Sequence, residues 1–195
     1  MAALWISQVT ITDADRYAEY GKRAVPAIEA QGGRFIARRA PFTQLEGLER
    51  PSHTIVVFPS LDAAVACYRS PEYQEAVAFA EGASERDLCI VESEDHPLDQ
   101  PAALWIGHVK VTDEEAYGKY AVKAGPAIAA HDGQFLARAG GYVQMEGNDR
   151  PRNVVALFPT RDRAVECYHS EAYQAGLEHA RGASERDLLV VEINS

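Results

Sequence analysis

Ala2-Ala3-Leu4-Trp5-Ile6 recurs as Ala102-Ala103-Leu104-Trp105-Ile106, and Gly82-Ala83-Ser84-Glu85-Arg86-Asp87-Leu88 recurs, letter for letter, at Gly182 to Leu188. Both recurrences have the same displacement (105 − 5 = 100), and no gap is needed between them. About half of the paired positions are identical. This is a tandem duplication of one domain, since a solenoid needs three or more short repeats. Function is therefore to be sought in the unit and in the places where the copies differ.

Outward from these anchors, Ser93-Glu94-Asp95-His96-Pro97-Leu98-Asp99-Gln100-Pro101 carries two prolines and little apolar content. It reads as a linker, which divides the chain into a first repeat (1–93), a linker (94–101) and a second repeat (102–195). Extended at about 3.3 Å per residue, the linker reaches about 30 Å. That is enough for the copies to pack as a covalent pseudo-dimer. A repeat of this size is near the lower limit for a self-sufficient core, so mutual burial would help both copies, and further homo-oligomerisation stays open.

Each copy reads strand, helix, strand, strand, helix, strand. Leu4 to Ile11 is β-rich, and Thr12 with Asp15, repeated as Thr112 with Glu115, forms a near capping box that opens a helix. Tyr17, Tyr20, Ala24 and Ile28 share one face of that helix, Pro26 and Pro126 predict a kink late in it, and Gly32-Gly33 stops it. Arg34 to Arg38 reads as a strand continuing irregularly to Leu45-Glu46-Gly47. Thr54 to Phe58 is a buried strand, Ser60 and Thr160 cap the next helix, Ser70-Pro71 starts another, and Leu88 to Glu92 closes the unit. Ser84 to Asp87 reads as a turn with local charge pairing. The order is that of an α+β, ferredoxin-like β-α-β-β-α-β unit. A sheet with helices on one side should leave its other face polar. Here Leu4 and Ile6 oppose Trp5 and Val9, so both faces are expected to be buried. Two such sheets packed together would give an eight-stranded intramolecular α/β barrel with a pocket.

Net charge is −10, divided as −4 over residues 2–93, −3 over 94–101 and −3 over 102–195. With no basic stripe, nucleic acid and anionic membrane surfaces lose their main source of affinity. No apolar run approaches the roughly 18 residues of a membrane span, and the first residues lack a signal-peptide pattern. Cys67 and Cys167 are repeat partners while Cys89 faces Leu189, which is no disulfide framework. Buried thiols in a cytoplasmic protein are the expectation.

Trp5-Ile6, Asp13, Tyr17, Tyr20, Pro26, Gly33-Arg34-Phe35, Arg38, Glu46-Gly47, Arg50-Pro51, Phe58-Pro59-Ser60, Ala64, Tyr68, Ser70-Pro71-Glu72-Tyr73 and Asp87-Leu88 together resemble the family known as domain of unknown function 1330. The resemblance covers the chain twice, excepting the linker. It implies the dimeric α/β-barrel superfamily, which also houses cofactor-independent monooxygenases, muconolactone-type isomerases, polyketide cyclases and some haem proteins. It therefore implies a fold more specifically than an activity. The family's glycine pair stands as Gly140-Gly141 but is Ala40-Pro41 in copy one, the tryptophan usual before Arg-Pro is Glu49 and Asp149, and the basic residue after that proline is Arg152 but Ser52. If the pocket uses that segment, copy one is the degraded one.

Arg38 and Arg138, each ending a strand, are candidates to clamp a ligand carboxylate or enolate, the alternative being an ion pair with Glu46 or Glu146. Glu46 and Glu146 are instead candidate general bases should burial raise their pKa, with Glu146 in the copy favoured for the site. His108 alternates with Leu104 and Ile106, pointing into the expected barrel, and is a candidate proton shuttle. Trp5 and Trp105 are either an aromatic wall for a flat ligand or plain core. Arg152 joins the ligand-binding candidates. The histidines lack paired metal-ligand spacings, and no phosphate loop, dinucleotide fingerprint or serine elbow is present, so neither a metal nor a cofactor is expected. The leading expectation is a small-molecule pocket, with or without cofactor-independent chemistry on a carbonyl, enol or aromatic metabolite, and with the site leaning on copy two. A non-catalytic ligand-binding or interaction protein is the alternative, and haem binding a distant third.

Overall fold

A computed structural model describes residues 1–194. In chain order the elements are β1 (Ala2–Ile11), α1 (Ala14–Ala30), β2 (Arg34–Arg38), β3 (Phe42–Glu46), β4 (Ser52–Phe58), α2 (Leu61–Arg69), α3 (Pro71–Ala80) and β5 (Ser84–Ser93). The second copy repeats them as β6 (Ala102–Val111), α4 (Glu114–Ala130), β7 (Gln134–Arg138), β8 (Tyr142–Glu146), β9 (Arg152–Phe158), α5 (Arg161–His169), α6 (Glu171–Ala180) and β10 (Ser184–Ile193). The fold is α+β, built from repeated β-α-β-β-α-β units.

The capping residue of the first helix is corrected by the structure. Asp13, not Thr12, caps α1: its carboxylate accepts the Arg16 N–H at 3.1 Å, and Asp113 accepts that of Ala116 at 3.0 Å. The N–H groups of Thr12 and Asp13 both donate to the Ala83 carbonyl, which ties the helix entry to the start of β5. Ser60, Thr160 and Ser70 cap as expected, and α1 runs four residues beyond Pro26.

A second correction concerns the irregular continuation after Arg38. Arg39 and Ala139 adopt φ of 53° and 54°, a left-handed conformation that costs a non-glycine residue about 1–2 kcal/mol. The chain turns there, and β3 and β8 become separate strands. The sheets are β2-β4-β1-β5-β8 and β3-β10-β6-β9-β7, so one edge strand of each, β8 or β3, comes from the other sequence repeat. The compact units accordingly cut across the repeats. Unit 1 comprises Met1–Arg39, Arg50–His96 and Gly141–Asp149, and unit 2 comprises Ala40–Glu49, Pro97–Gly140 and the chain from Arg150 onward.

In unit 1, one sheet face packs Trp5, Val56, Phe58, Leu88 and Ile90 against the helices, and the other face holds the equally buried Leu4, Ile6, Ile55 and Val91. Trp5 sits 5.8 Å from Phe58, 5.7 Å from Tyr68 and 5.1 Å, edge on, from Tyr73, measured between ring centroids. Unit 2 repeats this around Trp105, Phe158, Tyr168 and Tyr173. Cys67, Cys89 and Cys167 are buried thiols, and burial pushes those of Cys67 and Cys167 up to about 11 and that of Cys89 up to about 12. Among the described residues no helix is long and apolar enough to cross a membrane.

Candidate functional site

Each unit holds a cavity between its long helix and the sheet, and a buried charge network lies beside it, joined in unit 1 through Tyr20. Arg86 is the third residue of β5 and points to the helix side, with its side chain 4% exposed. Its Nη2 donates to Glu146 Oε1 at 2.7 Å and to the Tyr73 hydroxyl at 3.0 Å. Tyr73 and Tyr20 share a hydrogen bond of 2.8 Å, Tyr68 donates to the same Glu146 oxygen at 3.0 Å, and the Arg86 guanidinium lies 4.6 Å over the Tyr20 ring. Nε and Nη1 of Arg86 are buried without a hydrogen-bond partner.

Unit 2 builds the same network with tighter charge pairing. Arg186 donates from Nε and Nη2 to the two oxygens of Glu46, at 2.9 and 3.1 Å, and from Nη2 to Tyr173 at 3.0 Å. Tyr173 pairs with Tyr120 at 2.7 Å, and only Nη1 of the arginine is left over. Asp87 and Asp187, next along each strand, point the other way. Asp187 accepts the Leu48 N–H at 2.9 Å and faces Arg150 at 2.7 Å, while Asp87 accepts the Asn148 N–H at 2.8 Å and Arg50 Nε at 2.5 Å. Gly47 and Gly147, at φ +80°, lie so close to these aspartates that a Cβ would fall 1.9 and 1.8 Å from a carboxylate oxygen.

These contacts correct two expectations. Glu46 and Glu146 pair with Arg186 and Arg86, not with Arg38 and Arg138. Ser84 to Asp87 is not a turn with local charge pairing but the head of β5, whose alternating Arg86 and Asp87 hold the strand contributed by the other repeat.

The cavity of unit 1 measures about 690 Å³. Trp5, Tyr17, Tyr20 and Phe35 line its apolar part, Ser7, Ser52 and Thr54 add hydroxyls, and Lys22, Arg38 and Arg39 stand at its rim. Burial, reinforced by Tyr20, raises the Tyr17 phenol above its ordinary value, and burial raises that of Tyr20, so both are neutral hydrogen-bonding groups. The cavity of unit 2 measures only about 60 Å³, lined by Trp105, Tyr117, Tyr120, Phe135, Arg138, Arg152 and Arg186 among others.

Of the residues singled out from sequence, the structure thus brings Trp5 and Arg38 to one cavity and Trp105, Arg138 and Arg152 to the other. Arg38 and Arg138 lie over Phe35 and Phe135, at 5.0 and 4.3 Å from the ring centroids. Glu146 stands behind the unit 1 cavity, at Arg86. His108 lies on the opposite sheet face, where its Nδ1 is 2.6 Å from Asn153 Oδ1. Its cross-strand partner is Asn153, and the equivalent pair in unit 1 is Gln8 with His53, so imidazole and amide have changed places between the copies. Among the described residues no three His, Cys, Asp or Glu side chains converge where a metal ion could be held.

The residues missed from sequence are Arg86, Arg186, the tyrosine pairs and Arg39. A signal for the networks was present: Tyr20, Glu46, Arg50, Tyr73, Arg86 and Asp87 are each identical in the two copies, yet lie too far apart in sequence to suggest contact.

No curated protein matches this sequence. Among solved structures, an anthrone oxidase-like protein aligns over 99% of this chain and 92% of its own with a TM-score of 0.54 and 12% identity. A protein of unknown function from Rhodopseudomonas palustris aligns over 49% of this chain and 84% of its own, at 23% identity and a TM-score of 0.42. SnoaB, a cofactor-independent oxygenase from Streptomyces nogalater, aligns over 49% of this chain and 96% of its own, at 14% identity and a TM-score of 0.36. At 12% identity the likeness to the anthrone oxidase-like protein is one of fold. The sequence model for the domain of unknown function DUF1330 matches twice, over residues 2–93 and 102–194, and the chain belongs to that family as a tandem pair.

Proposed function

We propose that this protein binds a small anionic molecule with an apolar body, and that the binding site is the cavity of unit 1. The observation that carries the reading is the lining of that 690 Å³ space: aromatic rings, hydroxyls, and the exposed guanidinium groups of Arg38 and Arg39, beside a Lys22 whose ammonium is already paired with Glu19 at 2.6 Å. Guanidinium groups at the mouth of a partly apolar pocket favour a carboxylate or enolate, whose charge they meet with directed donors. Binding is better supported than turnover. The lining residues include no imidazole, carboxylate or thiol, and the raised phenols of Tyr17 and Tyr20 are poor bases near neutral pH. His108, the sequence-based candidate for proton transfer, stands on the other face of its sheet.

The test is calorimetric titration with 2-naphthoate and its neutral amide. The acid should bind and the amide should bind at least tenfold more weakly. Arg38→Ala combined with Arg39→Ala should abolish the preference, while Arg138→Ala should leave it intact. Equal affinity for acid and amide, or equal losses from the two arginine variants, would overturn the assignment.

A further inference from the structure

From unit 1 to unit 2, Ser7 becomes Gly107 and Val25 becomes Gly125, which empties space; Thr54 becomes Val154 at nearly constant volume; Gly21 becomes Ala121, which adds one methyl. Beyond that single methyl, Ser52 to Arg152 is the one lining change that adds bulk. Ser52 is buried at the head of β4 opposite Val9, and Arg152 takes the same register at the head of β9 opposite Val109. The Arg152 guanidinium lies 5.0 Å over the Tyr117 ring and reaches Glu114 at 3.8 Å. Tyr117 and Tyr120 are correspondingly 4% and 8% exposed, whereas Tyr17 and Tyr20 are half-buried.

The change is a matched one. Glu114, which balances Arg152, stands where copy one has Ala14, so unit 1 lacks both the cation and its counterion at this place. It has instead Arg39 where unit 2 has Ala139. The space over Tyr17 is left open and its rim gains a positive charge, whereas over Tyr117 the charge of Arg152 is balanced by Glu114.

We infer that the residue at position 52 or 152 decides whether each cavity takes a ligand, and that unit 2 holds a latent second site occupied by its own Arg152. The inference rests on the reading above and sharpens the ligand class: a planar aromatic carboxylate, lying over Tyr17 where the planar guanidinium lies over Tyr117, with its charge toward Arg38 and Arg39. In unit 2 the arginine is an internal occupant, held 5.0 Å over the equivalent ring and paired with Glu114. Its side chain is 35% exposed, and its removal uncovers a slot that Arg138 can still serve.

Titration of the full chain with 2-naphthoate reads the stoichiometry directly. The wild type should bind one equivalent, Arg152→Ser two, and Ser52→Arg none, each variant keeping the wild-type circular dichroism. Arg152→Ala serves as a second opening variant if Arg152→Ser is poorly folded, and the double exchange should return the count to one, now sensitive to Arg138→Ala in place of Arg38→Ala. One equivalent in both folded opening variants, or undiminished binding by Ser52→Arg, overturns the inference while leaving the unit 1 site standing. No binding by the wild type overturns the site itself and the inference with it.

Discussion

Units 1 and 2 differ least where charge is buried and most where it meets water. Behind each cavity the same arginine, glutamate and tyrosine pair recurs unchanged, whereas the rim has exchanged Ser52 for Arg152, Arg39 for Ala139 and Ala14 for Glu114. A buried guanidinium cannot lose its partner cheaply, so neither copy has been free to drift there. The rim holds no such pair of buried charges, and there duplication has let one cavity close while the other stayed open. Where a change does reach the strand joints, it is compensated. Gly141 presents an N–H to Glu92 at 3.2 Å, but Pro41 has none to give, and Glu192 turns instead to Arg161 at 3.3 Å, an arginine that copy one replaces by Leu61.

The deepest test of this contrast removes the shared charge pair. Glu46→Ala strands Arg186 and should cost about 3–5 kcal/mol of stability, with Glu146→Ala at the lower end because Arg86 makes one contact to its glutamate where Arg186 makes two. Denaturant midpoints would show it. A loss below about 1 kcal/mol in both variants would mean that the networks are incidental and their identity mere recency of duplication.

Acid should then separate the copies. Burial lowers the pKa of His53 to about 4, outweighing the opposing hydrogen bond with the Arg50 backbone. The unfolded imidazole takes up its proton near 6.5 and the folded one only near 4, so acidification through that window favours unfolding. His53 should contribute roughly 3 kcal/mol that is present above pH 6.5 and progressively lost toward pH 4. His53→Asn, which installs the residue of copy two, should flatten the stability profile across this range. An unchanged slope would show that His53 does not set the difference.

The smallest expected effect checks that the tyrosine pairs are equivalent. Tyr73→Phe and Tyr173→Phe each remove a hydroxyl that joins an arginine to a second tyrosine, and each should cost about 1–2 kcal/mol. A difference of more than about 1 kcal/mol between them would place part of the divergence inside the networks and not at the rim.

By itself the sequence determined the duplication, the order of elements, most of the caps and the burial of both sheet faces, because repeats, helical period and strand alternation are local and can be counted. Alternation even put His108 on the face opposite Trp105. Tertiary structure alone decided that Phe42–Glu46 leaves its own repeat's sheet, since a left-handed Arg39 or Ala139 turns the chain but does not name the strand it will meet. It also decided that Glu46 answers to Arg186, 140 positions away, and that the open cavity lies on the helix side of copy one. Partner choice for a buried charge and the size of a void both depend on side chains from several elements converging in space. Those sums are made only when the chain is folded.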